Sequence, residues 1–279
     1  MPQTSSLFDL SGRVALVSGG TSGIGLAIAE AFVDHGAKVV VGSRTADKVK
    51  EAVDRLNDRV AESAAGAVLD VQSEDSVRGA FDHGVRRFGT VNDAVHSAGV
   101  MHKADSAELE AEPFNRLYDI HVTGGLRLAK ALAAHLASSG ASQPDAAAPV
   151  EPAGSFTFIA SITSFAALSG VTAYAAAKSA QMGLIRNLST DFGARGIRVN
   201  GIAPGFVPTD LNRKMITGTD RGRRILERTP MARFGTADEI AGAAVYLAAP
   251  AGAFVNGHTI VVDGGFLACG LGDAVAPWS

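Results

Sequence analysis

Short apolar runs ending in glycine or a small residue, each followed by a stretch with helical spacing, recur along this 279-residue chain. Arg13 to Ser18 (RVALVS), Lys38 to Gly42 (KVVVG), Ala67 to Leu69, Val91 to Ser97, Phe156 to Ala160, Gly196 to Ala203 and Thr259 to Val262 read as strands. Most are apolar throughout rather than alternating, which suits strands buried on both faces, as in parallel sheets. Helical spacing runs through Leu26 to His35, Thr45 to Ser63, a segment capped by Ser73 and ending at Phe88, Pro113 to Ala137, the run from Thr172, and Thr236 to Ala248. This alternation predicts an α/β fold with a parallel sheet covered on both faces. No repeat and no second domain is visible.

Composition closes off several alternatives. A net charge of −3 gives no basis for nucleic-acid binding. A single cysteine, Cys269, excludes an internal disulfide and a thiolate metal cluster, so no metal is expected. The first residues lack a cationic stretch followed by an apolar core, and no apolar run reaches bilayer length. A cytoplasmic protein without membrane attachment is the expectation.

The first strand runs straight into Gly19-Gly20-Thr21-Ser22-Gly23-Ile24-Gly25 and then a helix. Glycines let backbone approach an anion, and a helix N-terminus offers free N–H groups and a positive dipole end. The spacing Gly19-x-x-x-Gly23-x-Gly25 differs from the usual G-x-G-x-x-G. The second strand ends at Ser43-Arg44, without the acid that holds a ribose 2′-hydroxyl. Arg44 is suited to pair with a 2′-phosphate, and Ser43 to donate a hydrogen bond to it, so NADP(H) is the expected cofactor.

Further along, Ser161 stands at the end of a strand, Tyr174 follows thirteen residues on, and Lys178 four after that, in an Ala-rich helical run. An i, i+4 pair shares a helix face, so the ammonium is expected to lower the phenol's pKa and let Tyr174 exchange a proton near neutral pH.

Two segments interrupt the alternation. Residues 138–154 are small, Pro-bearing and of low complexity, and read as a mobile loop entering the amino end of a strand, away from the ligand crevice. Residues 208–233 follow the Pro204-Gly205 turn at a strand's carboxyl end, with seven Arg or Lys against three acids. This segment reads as a substrate lid whose positive excess favours an anionic substrate, or as a solvated or intersubunit basic face. Residues 266–279 read as a C-terminal extension.

Together these motifs resemble the short-chain dehydrogenase/reductase family over about residues 10–267. The resemblance implies one Rossmann-type doubly wound domain with a seven-stranded parallel sheet. It implies that Gly19, Thr21, Ser22, Gly23, Ile24 and Gly25 bind cofactor phosphates, and that Asp70 and Val71 flank the adenine. Ala98 and Gly99 would pass the ribose, and Pro204, Gly205, Val207 and Thr209 would line the nicotinamide end. Ser161 would steady the substrate oxygen, Tyr174 act as acid or base, and Lys178 bond the nicotinamide ribose. Where the family carries Asn-Asn-Ala-Gly, this chain has His96-Ser97-Ala98-Gly99. Where it carries a fourth catalytic Asn, the chain has His121, which reads either as a relay substitute able to titrate near neutral pH or as a packed histidine. The carboxyl-terminal run from Met231 is similar to gluconate 5-dehydrogenases, a branch acting on sugar acids. A 3-oxoacyl carrier-protein reductase, another ketone reductase, and a non-catalytic NADP(H)-binding sensor are the alternatives. Homotetramers pairing residues 113–136 and 174–194 are common in the family.

Overall fold

The computed structural model describes residues 4–139, 152–210 and 212–269. Seven parallel strands form one sheet: β1 (Val14–Ser18), β2 (Lys38–Ser43), β3 (Ala64–Val68), β4 (Asp93–His96), β5 (Gly154–Ile159), β6 (Ile197–Pro204) and β7 (Thr259–Val262). Their order across the sheet is β3-β2-β1-β4-β5-β6-β7. The order reverses between β1 and β4, so the carboxyl ends of those two strands open a crevice there.

Helices cover both faces because the central strands have no polar side to turn toward water. On one face α1 (Gly23–Asp34), α2 (Ala46–Arg59) and α9 (Ala237–Ala248) bury Val17, Ile28, Phe32, Val39, Val41, Leu56 and Ile240. On the other, α3 (Glu74–Phe88), α5 (Gly124–Ser138) and α6 (Thr172–Gly193) bury Leu16, Val40, Phe81, Leu128, Leu132, Phe156, Phe158 and Ile185. Thr236 opens α9 with a reciprocal capping box to Glu239, and Ser73 caps α3 through the Ser76 amide.

Two expectations are corrected. The third strand is Ala64–Val68, not Ala67 to Leu69, and α2 stops at Arg59. The AAGAV stretch carries few β-branched side chains, so its strand state comes from pairing with β2, Val39 opposite Ala64 through Ser43 opposite Val68. Gly66 is small by necessity: a Cβ there would lie 2.3 Å from Val49 of α2. The helix expected over Pro113 to Ala137 is also not continuous. It comprises α4 (Ala111–Tyr118), a π turn (Asp119–Thr123) and α5, with the Gly124 amide reaching back to the Asp119 carbonyl. After that turn Gly124 lies against Val71, where a Cβ would meet the valine side chain at 2.9 Å, and Gly125 lies against the sheet. A Cβ on Gly125 would meet Phe158 at 2.3 Å.

The amino end of the sheet is tied by a buried carboxylate. Asp93 of β4 accepts from Arg13 Nε at 2.7 Å and Nη2 at 2.6 Å, and from the Ser155 amide and hydroxyl at 3.0 and 2.6 Å. Arg13 also donates to the Pro152 carbonyl. Most of the expected 138–154 loop lies outside the described residues, but its flank at Pro152 is at this amino end, opposite the crevice. Residues 213–227 of the expected lid form two short helices, α7 (Arg213–Ile216) and α8 (Asp220–Glu227). Of the C-terminal extension, Phe266 packs edge-on against Phe206 at 5.2 Å, and residues 270–279 lie outside the described residues.

Removing one partner of a buried ion pair strands the other's charge. Asp93→Ala is expected to lower unfolding free energy by about 3 kcal/mol or more in urea titration. Because the tie is at the sheet's far end, folded Asp93→Ala is expected to retain nicotinamide cofactor affinity; a large affinity loss would contradict this separation.

Candidate active site

The crevice at the carboxyl ends of the strands is a cleft of about 580 Å³, and every site residue expected from the sequence lines it. Gly19, Thr21, Ser22, Gly23, Ile24 and Gly25 line it after β1, with Ala98 and Gly99 after β4; Ser43 and Arg44, after β2, and Asp70 and Val71, after β3, lie toward one end. Ser161, Tyr174, Lys178 and His121 meet Pro204, Gly205, Val207 and Thr209 at the other end.

The glycine turn is built for close backbone approach. Gly19 sits at φ +70°, and a Cβ there would lie 2.7 Å from the Ala98 nitrogen. A Cβ on Gly25 would lie 2.2 Å from the Gly19 carbonyl oxygen. The Ser22 side chain does not cap α1, so the first amides of this twelve-residue helix face the cleft without a side-chain acceptor. A cradle this tight, at a helix N-terminus and in a long cleft, fits a dinucleotide.

The polar groups at the far end are brought in by three elements. Ser161 follows β5, and its hydroxyl accepts from the Thr163 amide at 3.1 Å. Tyr174 and Lys178 lie in the first two turns of α6. The Lys178 ammonium donates to the Ile159 carbonyl at 2.5 Å and lies 5.5 Å from the centre of the Tyr174 ring. The lowered phenol pKa expected from this pair is corrected. Helical spacing places the cation over the ring rather than at its oxygen, and desolvation dominates both groups. Burial pushes the Tyr174 phenol up to about 12, although its ring still opens onto the cleft, and a hydrogen bond with Ser161 acts against that rise. Burial pushes the Lys178 ammonium down to about 7.

His121 lies in the π turn. It is 1% exposed, and its ring stands edge-on to Tyr174 at 5.4 Å. Nε2 lies 2.8 Å from the Val100 carbonyl and 3.2 Å from the Val100 amide, donating to the first or accepting from the second according to the tautomer, and Nδ1 is buried without a partner among the described residues. Burial first, then the Lys178 charge, hold its pKa well below 6.5. The expectation that His121 titrates near neutral pH is therefore corrected: it is a neutral imidazole. Gly99 makes room for it, since a Cβ there would meet the ring at 2.5 Å. His96 is likewise buried and neutral, its pKa pushed down to about 3. It bridges Ser18 at 3.0 Å and the Ile120 carbonyl at 3.1 Å, so it ties the π turn to β1 and β4.

Sequence reading missed Lys48 and Asn212. Lys48 lines the cleft beside Ser43 and Arg44 from the first turn of α2, a second cation at the same end. Its signal was the spacing Arg44-x-x-x-Lys48 across the start of a helix. Asn212 pins the entry to α7 by accepting from the Thr209 amide and donating to the Val207 carbonyl. The basic excess of residues 208–233 does not line the cleft: the wall that segment contributes includes Thr209, Asp210 and Asn212. Arg223 pairs with Asp220, Arg233 with Glu239, and Arg228 stacks over Phe266. Lys103 reaches Met215, and its partial burial, then the neighbouring Arg221, lower its pKa. Among the described residues, no helix is long and apolar enough to cross a membrane, and no group of His, Cys, Asp or Glu is arranged to hold a metal ion.

A family model described as enoyl-(acyl carrier protein) reductase, one of the short-chain dehydrogenase/reductase models, matches residues 19–267. The chain belongs to the short-chain dehydrogenase/reductase family. It is an oxidoreductase acting on CH–OH groups, in a family that uses nicotinamide cofactors. It is 31% identical to gluconate 5-dehydrogenase of Gluconobacter oxydans, over 93% of this chain and 96% of that protein. It is 35% identical to D-threitol dehydrogenase of Mycolicibacterium smegmatis, over 93% and 94%. The crystal structure of a gluconate 5-dehydrogenase from Burkholderia cenocepacia, in complex with NADP and tartrate, superposes with a TM-score of 0.86 at 33% identity, covering 95% of this chain and 99% of that one.

The Lys178 shift carries a sign. Its folded-state pKa of about 7 lies below the ordinary 10.5, so between those values the unfolded chain binds more protons and stability rises with pH. The stability advantage of Lys178→Met over wild type is expected to be greatest below pH 7 and to shrink toward pH 10.5. Urea unfolding of both proteins across that range reads it; a difference independent of pH would show that Lys178 is not desolvated.

Proposed function

We propose that this protein is an NADP(H)-dependent oxidoreductase that transfers hydride between nicotinamide and the secondary alcohol or ketone of a sugar acid, with gluconate and its 5-keto form the first substrates to test. The observation that carries the reading is the joint placement of Ser161, Tyr174 and Lys178 at one end of the cleft and of Ser43, Arg44 and Lys48 at the other. NADP(H), when bound, supplies the hydride. Ser43, Arg44 and Lys48 hold its 2′-phosphate, and the glycine turn and α1 N-terminus hold its pyrophosphate. Lys178 bonds the nicotinamide ribose.

The phenol of Tyr174 is protonated throughout the neutral range, the form that gives a proton to an alkoxide as it forms. Ser161 hydrogen-bonds the same substrate oxygen, which gains charge as a ketone is reduced. The sugar-acid assignment draws on the two gluconate 5-dehydrogenase relatives. Residues 208–233 act as the lid of this site. The same reading includes a cytoplasmic homotetramer paired through residues 113–136 and 174–194.

Reduction of 5-keto-D-gluconate and oxidation of D-gluconate, each run with the phosphorylated and unphosphorylated cofactor, test the proposal. Saturable turnover preferring NADP(H) is expected. Tyr174→Phe is expected to reduce turnover about 100- to 10,000-fold while NADPH affinity is retained. Lys48→Ala is expected to weaken NADPH by about tenfold, as loss of a charge-assisted contact does, without changing NADH binding. Turnover with NADH equal to that with NADPH would overturn the cofactor assignment, and turnover only on other ketones would overturn the sugar acid.

A further inference from the structure

The π turn leaves two backbone carbonyls inside the protein, and each is answered by a side chain from a different element. His96 of β4 takes the Ile120 carbonyl, and Gln181 of α6 donates its amide nitrogen to the His121 carbonyl at 2.8 Å. Gln181 is 0% exposed. It stands three residues after Lys178, on the same face of α6. An amide this deeply buried is costly to place unless its hydrogen bonds matter. Its second polar atom, Oε1, has no partner, and neither has Nδ1 of His121.

We infer that Gln181 is a positioning residue for the reaction: by holding the His121 carbonyl it fixes the π turn against α6 and keeps the imidazole edge on the Tyr174 ring. This rests on the reading of Tyr174 as the proton donor. The linkage is short. Tyr174, Lys178 and Gln181 are carried by one helix, and His121 is reached from that helix by two contacts, ring to ring at 5.4 Å and amide to carbonyl at 2.8 Å. The Val100 carbonyl holds the opposite side of the imidazole. With the Gln181 contact gone, the His121 carbonyl is a buried acceptor without a donor, and the turn relaxes toward any donor it can reach. The turn carries the imidazole with it, so the disturbance falls on the contact between His121 and the Tyr174 ring.

The test uses Gln181→Met, which keeps length and removes the donor, and Gln181→Glu, which keeps shape and replaces the amide nitrogen with oxygen. Nitrogen NMR of histidine-labelled protein is expected to show one neutral tautomer of His121 in the wild type. Its ring signals are expected to shift or broaden in both variants, while those of the surface residue His35 hold. Unchanged His121 signals in both variants would overturn the inference. Kinetically, kcat per NADPH-binding site is expected to fall by about tenfold or more, with ketone KM and NADPH affinity within about threefold of wild type. In a His121→Ala background Gln181→Met is expected to lower kcat by less than about twofold, because its action passes through His121. Full additivity, or variants with kcat within about twofold of wild type, would overturn the inference. Absence of wild-type turnover on every ketone counts against the proposed function, and the NMR comparison still decides whether Gln181 positions His121.

Discussion

The site depends on how closely backbone can approach backbone at the end of β1. The Gly19 carbonyl, the first turn of α1 and the Ser97–Ala98 peptide occupy so little space that a single methyl group at Gly19 or Gly25 overlaps a neighbouring main-chain atom. That closeness makes the crevice between β1 and β4 narrow enough for amides to reach an anion. Side chains delivered by β2, β5, α6 and the π turn then define the two ends of the cleft. Loss of the approach would separate α1 from the sheet edge it covers and disconnect the two ends.

Six of the seven strands and their parallel arrangement were legible, the central ones because burial on both faces leaves an apolar pattern, as in VALVS and FTFI. The glycine turn and the Ser161, Tyr174 and Lys178 set were legible from spacing. Other features were invisible for physical reasons. β3 is Ala- and Gly-rich and is a strand because β2 pairs with it. The π turn inserts one residue into a helix whose apolar period looks continuous on either side, and its existence depends on partners far along the chain, His96 and Gln181. Charge counting over residues 208–233 left a substrate lid and a solvated basic face both open, because it does not show that an intrahelical pair engages Arg223 and a ring contact engages Arg228.

The pKa reversal at Tyr174 and Lys178 has the same origin. Spacing on a helix says that two groups are neighbours, but not how much water they share. Both groups lose solvent on folding, and desolvation moves each toward its neutral form: the phenol stays protonated and the ammonium approaches neutrality near pH 7. Two buried neutral histidines reinforce this. His96 and His121 act as shaped hydrogen-bonding groups rather than as charges.

The Arg13–Asp93–Ser155 tie has a consequence for how such a chain can be altered. It anchors three strands at the edge opposite the cleft, and the chain leaves α5 and re-enters at Pro152 on that same edge. Sequence inserted between Ser139 and Pro152 joins the molecule where its strands are already locked together and the cleft is a full sheet-length away. That boundary is a natural splice point, where a reporter peptide or a second folded unit attaches without touching the catalytic end.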